Sequence, residues 1–205
     1  MTSETAFSGP ATDPRAGQVL LAIARAAISA EFGLHQSVDE SASWLHQPGA
    51  VFVTLTQDGR LRGCIGSLEA HQPLLADLRA NARAAAFRDP RFRPLSAAEL
   101  GRTLIEVSLL SGAEPLRFTS RSDAVAHLRP GVDGVILTWD GHRGTFLPQV
   151  WAQLPRPEDF LAHLLQKAGL AATFWSPDLR LWRYTVTKWK ESEPGLAERH
   201  DEHDS

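Results

Sequence analysis

The only cysteine of the chain, Cys64, lies in the run Leu61-Arg62-Gly63-Cys64-Ile65-Gly66. On a strand, side chains alternate between faces, so Arg62, Cys64 and Gly66 would share one side and Leu61, Gly63 and Ile65 the other. A guanidinium within about 7 Å of a thiol, the i to i+2 strand repeat, favours the thiolate and lowers its pKa from ~8.5. An activated thiol of this kind can act as a nucleophile or accept a modification. Gly63 and Gly66 cost strand stability and leave no side chain, a pattern found where a ligand or a second backbone comes close, so they suggest a shallow groove. A plainer reading stays open: a small core cysteine, an exposed strand arginine and glycines that mark a bulge.

Two further groups could join this chemistry. In the strand-like run Thr103 to Leu110, Ile105, Val107 and Leu109 fall on one face and Glu106 and Ser108 on the other. If that strand pairs beside the motif, Glu106 can hold Arg62 through a bidentate ion pair and Ser108 comes near Cys64; otherwise Glu106 meets some surface Lys or Arg. Arg79, Arg83, Arg88, Arg91 and Arg93 form the densest basic stretch, with Arg79 and Arg83 on one helix face at i, i+4. They could bind phosphate or an acidic partner, or simply be a solvated face diluted by Asp77 and Asp89.

The elements that must position these residues follow from periodicity. Leu20, Leu21, Ala24, Ala27 and Ile28 recur at helical spacing between Gly17 and Ser29. Val51 to Thr56 is rich in β-branched residues and runs into Asp58-Gly59, after which Leu61 to Gly66 is again strand-like, the pattern of a hairpin. Pro73 suits a helix's first turn, and Leu74, Leu75, Leu78, Ala82 and Ala85 carry an apolar stripe toward Arg88. The order repeats: Val135 to Gly141 reads like Val53 to Gly59, and Arg143-Gly144-Thr145 sits where Arg62-Gly63-Cys64 does if one residue is dropped. A helix over Asp159 to Ala168 and a strand over Leu181 to Val186 follow. Such self-similarity suggests duplication, and hairpins with helices between them predict an α+β protein with a largely antiparallel sheet.

With 205 residues, 43% hydrophobic and 22% charged, the chain is long enough for a real core and belongs to the ordinary globular class. Residues 1–14 and 191–205 read as mobile tails around a domain at 15–190, its two internal repeats spanning roughly 15–115 and 116–190. Within the second tail, His200, Asp201, Glu202, His203 and Asp204 are competent metal ligands, but a tail lacks the fixed geometry a site needs, so no metal is expected. No run approaches a bilayer span and the start lacks a secretion signal, which with the lone thiol predicts a cytoplasmic location. A net charge of −3 disfavours general nucleic-acid binding. Trp139, Trp151, Trp175, Trp182 and Trp189 cluster in the second half without a basic groove beside them, as core and rim residues would. His71 has no partner at zinc spacing, and neither a phosphate-binding loop, a nucleophile elbow nor a dinucleotide fingerprint occurs, so no cofactor is expected.

The hexapeptide Leu61 to Gly66 matches the signature of the AMMECR1 family letter for letter. Phe52-Val53-Thr54-Leu55, Asp89-Pro90-Arg91-Phe92 with Pro94-Leu95, Glu106-Val107-Ser108, Gly134 to Leu137, Gly144 to Val150 and Lys167 to Leu170 also resemble the family, in family order across residues 17–191. The resemblance implies an α+β fold of two related β-β-β-α-α-β halves forming one barrel-like sheet with packed helices. It implies a site at Arg62, Gly63, Cys64 and Gly66, and an association with a Memo-like protein and a radical SAM protein, since similar bacterial and archaeal proteins are named protein A of the AmmeMemoRadiSam system. Two functions remain: a thiol-dependent enzyme or modification acceptor using Cys64, Arg62 and Glu106, or a non-catalytic adaptor presenting the glycine-lined strand and Arg79 to Arg93. A weaker third, RNA association through the same arginines, requires steep salt dependence.

Overall fold

The computed structural model describes residues 10–192. In chain order its regular elements are α1 (Ala16–Ser29), β1 (Ala50–Gln57), β2 (Arg60–Gly66), α2 (Leu74–Phe87), α3 (Ala97–Leu100), β3 (Leu104–Leu110), β4 (Glu114–Leu116), α4 (Arg121–His127), β5 (Gly134–Trp139), β6 (His142–Phe146), α5 (Pro157–Lys167), β7 (Arg180–Tyr184) and β8 (Val186–Lys190). Both expected hairpins form on their Asp-Gly turns: Asp58 and Gly59 have φ of 49° and 73°, Asp140 and Gly141 of 41° and 79°. Two consecutive left-handed residues make the turn whose twist suits flanking strands, and Asp and Gly tolerate it best.

The fold is α+β, as expected, but its strands lie in two four-stranded sheets, ordered β2-β1-β3-β8 and β4-β7-β5-β6, where one barrel-like sheet was expected. The chain divides into two compact units accordingly, Leu110–Val186 forming one and the residues on either side of it the other. The last strand therefore returns to the first unit's sheet beside β3. Each unit has its own cluster of buried apolar side chains.

In the first unit, α2 packs on β1 and β2, and α1 on α2. Val51, Val53 and Leu55 of β1 and Ile105, Val107 and Leu109 of β3 point inward with period two, onto Leu20, Ile23, Leu74 and Leu78 of the helices. Two polar residues of α2 join that core. The Asp77 carboxylate accepts from the Val51 backbone N–H at 3.0 Å and from Ser67 Oγ at 2.6 Å, while Asn81 Nδ2 donates to the Val51 carbonyl at 3.2 Å. One turn of helix thus closes both backbone groups at the start of β1, positions where an unpaired polar atom would cost about 1 to 3 kcal/mol. Asp77, read from sequence as a diluting surface charge, is buried.

Both boundaries of the domain are tied down. The Asp13 side chain accepts from Trp44 Nε1 at 3.1 Å, and Glu191 accepts from the Ile105 backbone at 2.8 Å and pairs with Arg25. The metal-ligand types His200 to Asp204 lie outside the described residues. In the second unit, α5 packs on β6, and Trp151 stacks on Phe160 with centroids 3.8 Å apart while its Nε1 donates to the Asp133 carbonyl at 2.7 Å.

Candidate functional site around Cys64

The motif occupies β2, an edge strand, and its first feature is an interrupted register. Thr54 faces Cys64 and Leu55 faces Gly63, yet Thr56 faces Leu61, so Arg62 is an extra residue without a partner on β1. In the other hairpin Leu137 faces Gly144 and Thr138 faces Arg143 with no such break. The extra residue is thus Arg62 itself, whereas the sequence comparison aligned Arg62 with Arg143 and dropped a residue before it. A bulge bends the strand and re-aims the side chain it carries. Arg62 accordingly leaves the alternation that placed it beside Cys64.

Arg62 is instead buried against α3. Its Nε and Nη2 donate to the two Glu99 oxygens at 3.2 and 3.3 Å, and Nη2 also reaches the Pro94 carbonyl at 3.4 Å. Glu99 closes a capping box: it accepts from the Ser96 backbone at 2.9 Å and from Ser96 Oγ at 2.8 Å. The Arg62 guanidinium first, and the Ser96 donors after it, hold the Glu99 carboxyl down at about 2. The acid expected to grip Arg62 was Glu106. Glu106 lies 3.4 Å from Lys188 of β8, because β1 stands between β2 and β3 and separates their side chains by two strand spacings, roughly 10 Å. The same interposed strand keeps Ser108, buried on β3, from being a direct neighbour of Cys64.

The glycines are filled from within. A Cβ on Gly63 would stand 2.1 Å from the Ala85 carbonyl oxygen, so α2 rests its main chain there, and a Cβ on Gly66 would stand 2.2 Å from the Phe52 ring. The close backbone approach read from the sequence exists, but its occupant is the protein itself, and no groove is left at either position.

Cys64 is half-buried. The Thr54 hydroxyl donates to its Sγ at 3.3 Å, the cross-strand contact that the register dictates. On the free edge of β2, the Cys64 backbone N–H donates to Asp89 Oδ2 at 2.9 Å, and its carbonyl accepts from Arg91 Nη2 at 3.2 Å. Asp89 and Arg91 are themselves joined through Nε at 3.0 Å and Nη2 at 2.7 Å. This pair takes the place of a neighbouring strand and blunts an edge that could otherwise pair with another chain. Asp89 is buried, contrary to its reading as a surface charge, and the Arg91 side chain, ahead of the Cys64 N–H, holds its carboxyl well below the usual range. Asp89 chiefly, and Cys64 to a lesser degree, push the Arg91 pKa above its ordinary value. The cation beside the thiol is thus Arg91, where Arg62 was expected.

The helix arginines are not a free basic face. Arg79 pairs with Glu40, and Arg83 Nε lies 3.3 Å from Glu31. Exposed positive charge is left at Arg88 and at Arg93, which is 3.9 Å from Glu99 yet 82% exposed, while the exposed Arg91 is paired with Asp89. Sequence reading missed Thr54, Asp89 and Glu99 as partners of the motif. The Ser96-x-x-Glu99 spacing is a legible capping-box signal, and the Asp89-Pro90-Arg91 turn was noticed without its role. Among the described residues no three His, Cys, Asp or Glu side chains are grouped to hold a metal, and no helix is long and apolar enough to cross a membrane.

Comparison with known proteins places this geometry in a family. A protein of Methanothermobacter thermautotrophicus is 39% identical over 180 residues, covering 85% of this chain and 94% of its own. One of Aeropyrum pernix is 36% identical over 211 residues, covering 94% and 89%. The crystal structure of an uncharacterized protein from Pyrococcus horikoshii superposes with a TM-score of 0.70 at 30% identity, covering 86% of this chain and 91% of that one. Residues 21–189 match the AMMECR1 family, and the chain belongs to it.

Proposed function

We propose that this AMMECR1-domain protein works through Cys64, a reactive thiol that acts as nucleophile or accepts a modification, in a cytoplasmic setting with a Memo-like protein and a radical SAM protein as partners. The observation that carries this reading is the partly exposed Cys64, its Sγ 3.3 Å from the Thr54 hydroxyl, on a strand gripped by the Asp89/Arg91 pair. The hydroxyl at Sγ and the guanidinium bonded to the cysteine's main chain are the partners this reading assigns to the thiol. Arg62 and Glu99 support the strand from beneath. The test is alkylation by iodoacetamide, clean because the chain has one thiol. Labelling of the folded protein at pH 7 should outpace labelling of the urea-unfolded protein, and Arg91→Ala should reverse that order. A thiol that reacts only after unfolding would refute the proposal.

A second reading rests on a different observation, the exposed Arg88 and Arg93 on the segment that follows α2. Exposed positive charge suits an acidic protein partner. Arg88→Glu with Arg93→Glu should then abolish capture of a Memo-like or radical SAM protein without altering thiol reactivity; undiminished capture would eliminate the adaptor version.

A further inference from the structure

The second sheet carries a cluster that the Cys64 chemistry does not use. β4 and β7 pair with Pro115 opposite Trp182 and Leu116 opposite Leu181. Leu116 and Leu181 enter the core, so Pro115 and Trp182 stand on the opposite face. Carried one residue further, the same register sets Arg117 opposite Arg180. Both are exposed, and among the described residues neither side chain makes a hydrogen bond or an ion pair. Like charges directly opposed destabilise an antiparallel pair. The nearest acid along β4, Glu114, pairs with Arg183 and so lies on the core-facing side of the alternation. Two cations therefore face each other with no internal counter-charge.

These arginines and Trp182 line a cavity of about 270 Å³, walled further by Phe118, Pro115 and Pro177. The Phe118 ring is backed by Trp175 at 5.3 Å between centroids, and the two prolines are conformationally stiff, so the walls hold their shape. The volume lies just below the roughly 300 Å³ at which drug-sized sites begin, which suits a single ring system. Aromatic walls favour a planar ring, and two guanidinium groups at one end favour a carboxylate or phosphate, which they can grip bidentately.

We propose that this cavity binds a small planar anion, an aromatic ring bearing a carboxylate or phosphate, with the ring against Trp182 and the acid group between Arg117 and Arg180. The full chain is titrated with phenyl phosphate and with benzoate while the indole N–H resonance of Trp182, assigned from Trp182→Phe, is followed by NMR. At least one probe should move that resonance saturably, with a Kd on the order of 1 mM for so small a ligand. Arg117→Ala and Arg180→Ala, both at exposed positions, should each weaken binding about tenfold, the loss of one charge-assisted contact. The proposal is overturned if neither probe shifts Trp182, if inorganic phosphate binds as tightly as phenyl phosphate, or if the double arginine variant binds unchanged.

Discussion

Arg62 and Glu99 meet through two nitrogen to oxygen contacts of 3.2 and 3.3 Å, both side chains nearly out of solvent, while Arg62 Nη1 is buried without a partner. The motif's arginine is thus a buried cation held by one acid. Breaking a buried pair strands a charge, at a cost of about 3 to 5 kcal/mol. Glu99→Ala should lower stability by that order in urea unfolding. Arg62→Lys should recover only part of the native value, since an ammonium cannot span both oxygens.

The same pair sets an acid limb. Glu99 titrates near 2 in the folded protein against an ordinary 4.5 in the unfolded chain. A carboxylate whose pKa is depressed by folding adds stability that is complete above the unfolded pKa and is lost as pH falls toward the folded one. Unfolding free energy should therefore fall between about pH 4.5 and 2, and Glu99→Gln should flatten that part of the profile while lowering stability at pH 7. A variant that kept the full acid limb would show that other carboxylates, Asp89 first among them, carry it.

Around Cys64 the prediction concerns charge balance. Asp89 neutralises Arg91 and binds the Cys64 N–H. Asp89→Asn should free the guanidinium's charge and loosen the edge, so Cys64 should alkylate several-fold faster at pH 7. Thr54→Val removes the hydroxyl donor at 3.3 Å and should slow it. Rates indifferent to both changes would mean that accessibility alone governs the thiol.

The glycines differ from one another by what they touch. Gly63→Ala would drive a Cβ against the Ala85 carbonyl at 2.1 Å and should cost about 3 kcal/mol, as α2 must shift. In the second unit, a Cβ on Gly144 would stand 3.0 Å from the Leu164 carbonyl and 3.2 Å from Ala168 at the end of α5, so Gly144→Ala should cost clearly less. Gly101→Ala, with nothing within 4 Å and an ordinary helical φ of −68°, should be neutral or slightly stabilising. Urea midpoints of the three variants give the ranking directly.

Much of this was legible in the sequence because it is local. The Asp58-Gly59 and Asp140-Gly141 turns, the stripe from Leu74 to Ala85 and the alternation over Ile105, Val107 and Leu109 each depend on near neighbours alone. What was misread depends on pairing order. Strict alternation put Arg62 beside Cys64, and only the register with β1 reveals the bulge that separates them. Adjacency in the chain suggested β3 beside β2, whereas β1 lies between and diverts Glu106 to Lys188. Asp77, Asp89 and Glu99 carry no apolar signal, so their burial is visible only once the groups they bind are in place.

Those differences permit a test that separates architecture from chemistry within the hexapeptide. If Arg62 and Glu99 serve the fold, their charges are replaceable together though not singly, because a buried ion pair exchanged for apolar side chains of similar volume is often neutral or stabilising. Arg62→Met and Glu99→Leu alone should each lose several kcal/mol, whereas the double variant should recover most of it, a coupling that a double-mutant cycle reads. Alkylation of Cys64 in the double variant should stay at the native rate, since Arg91 and Thr54 are untouched. Recovered stability with a silenced thiol would instead show that Arg62 tunes the thiol as well as supporting the strand.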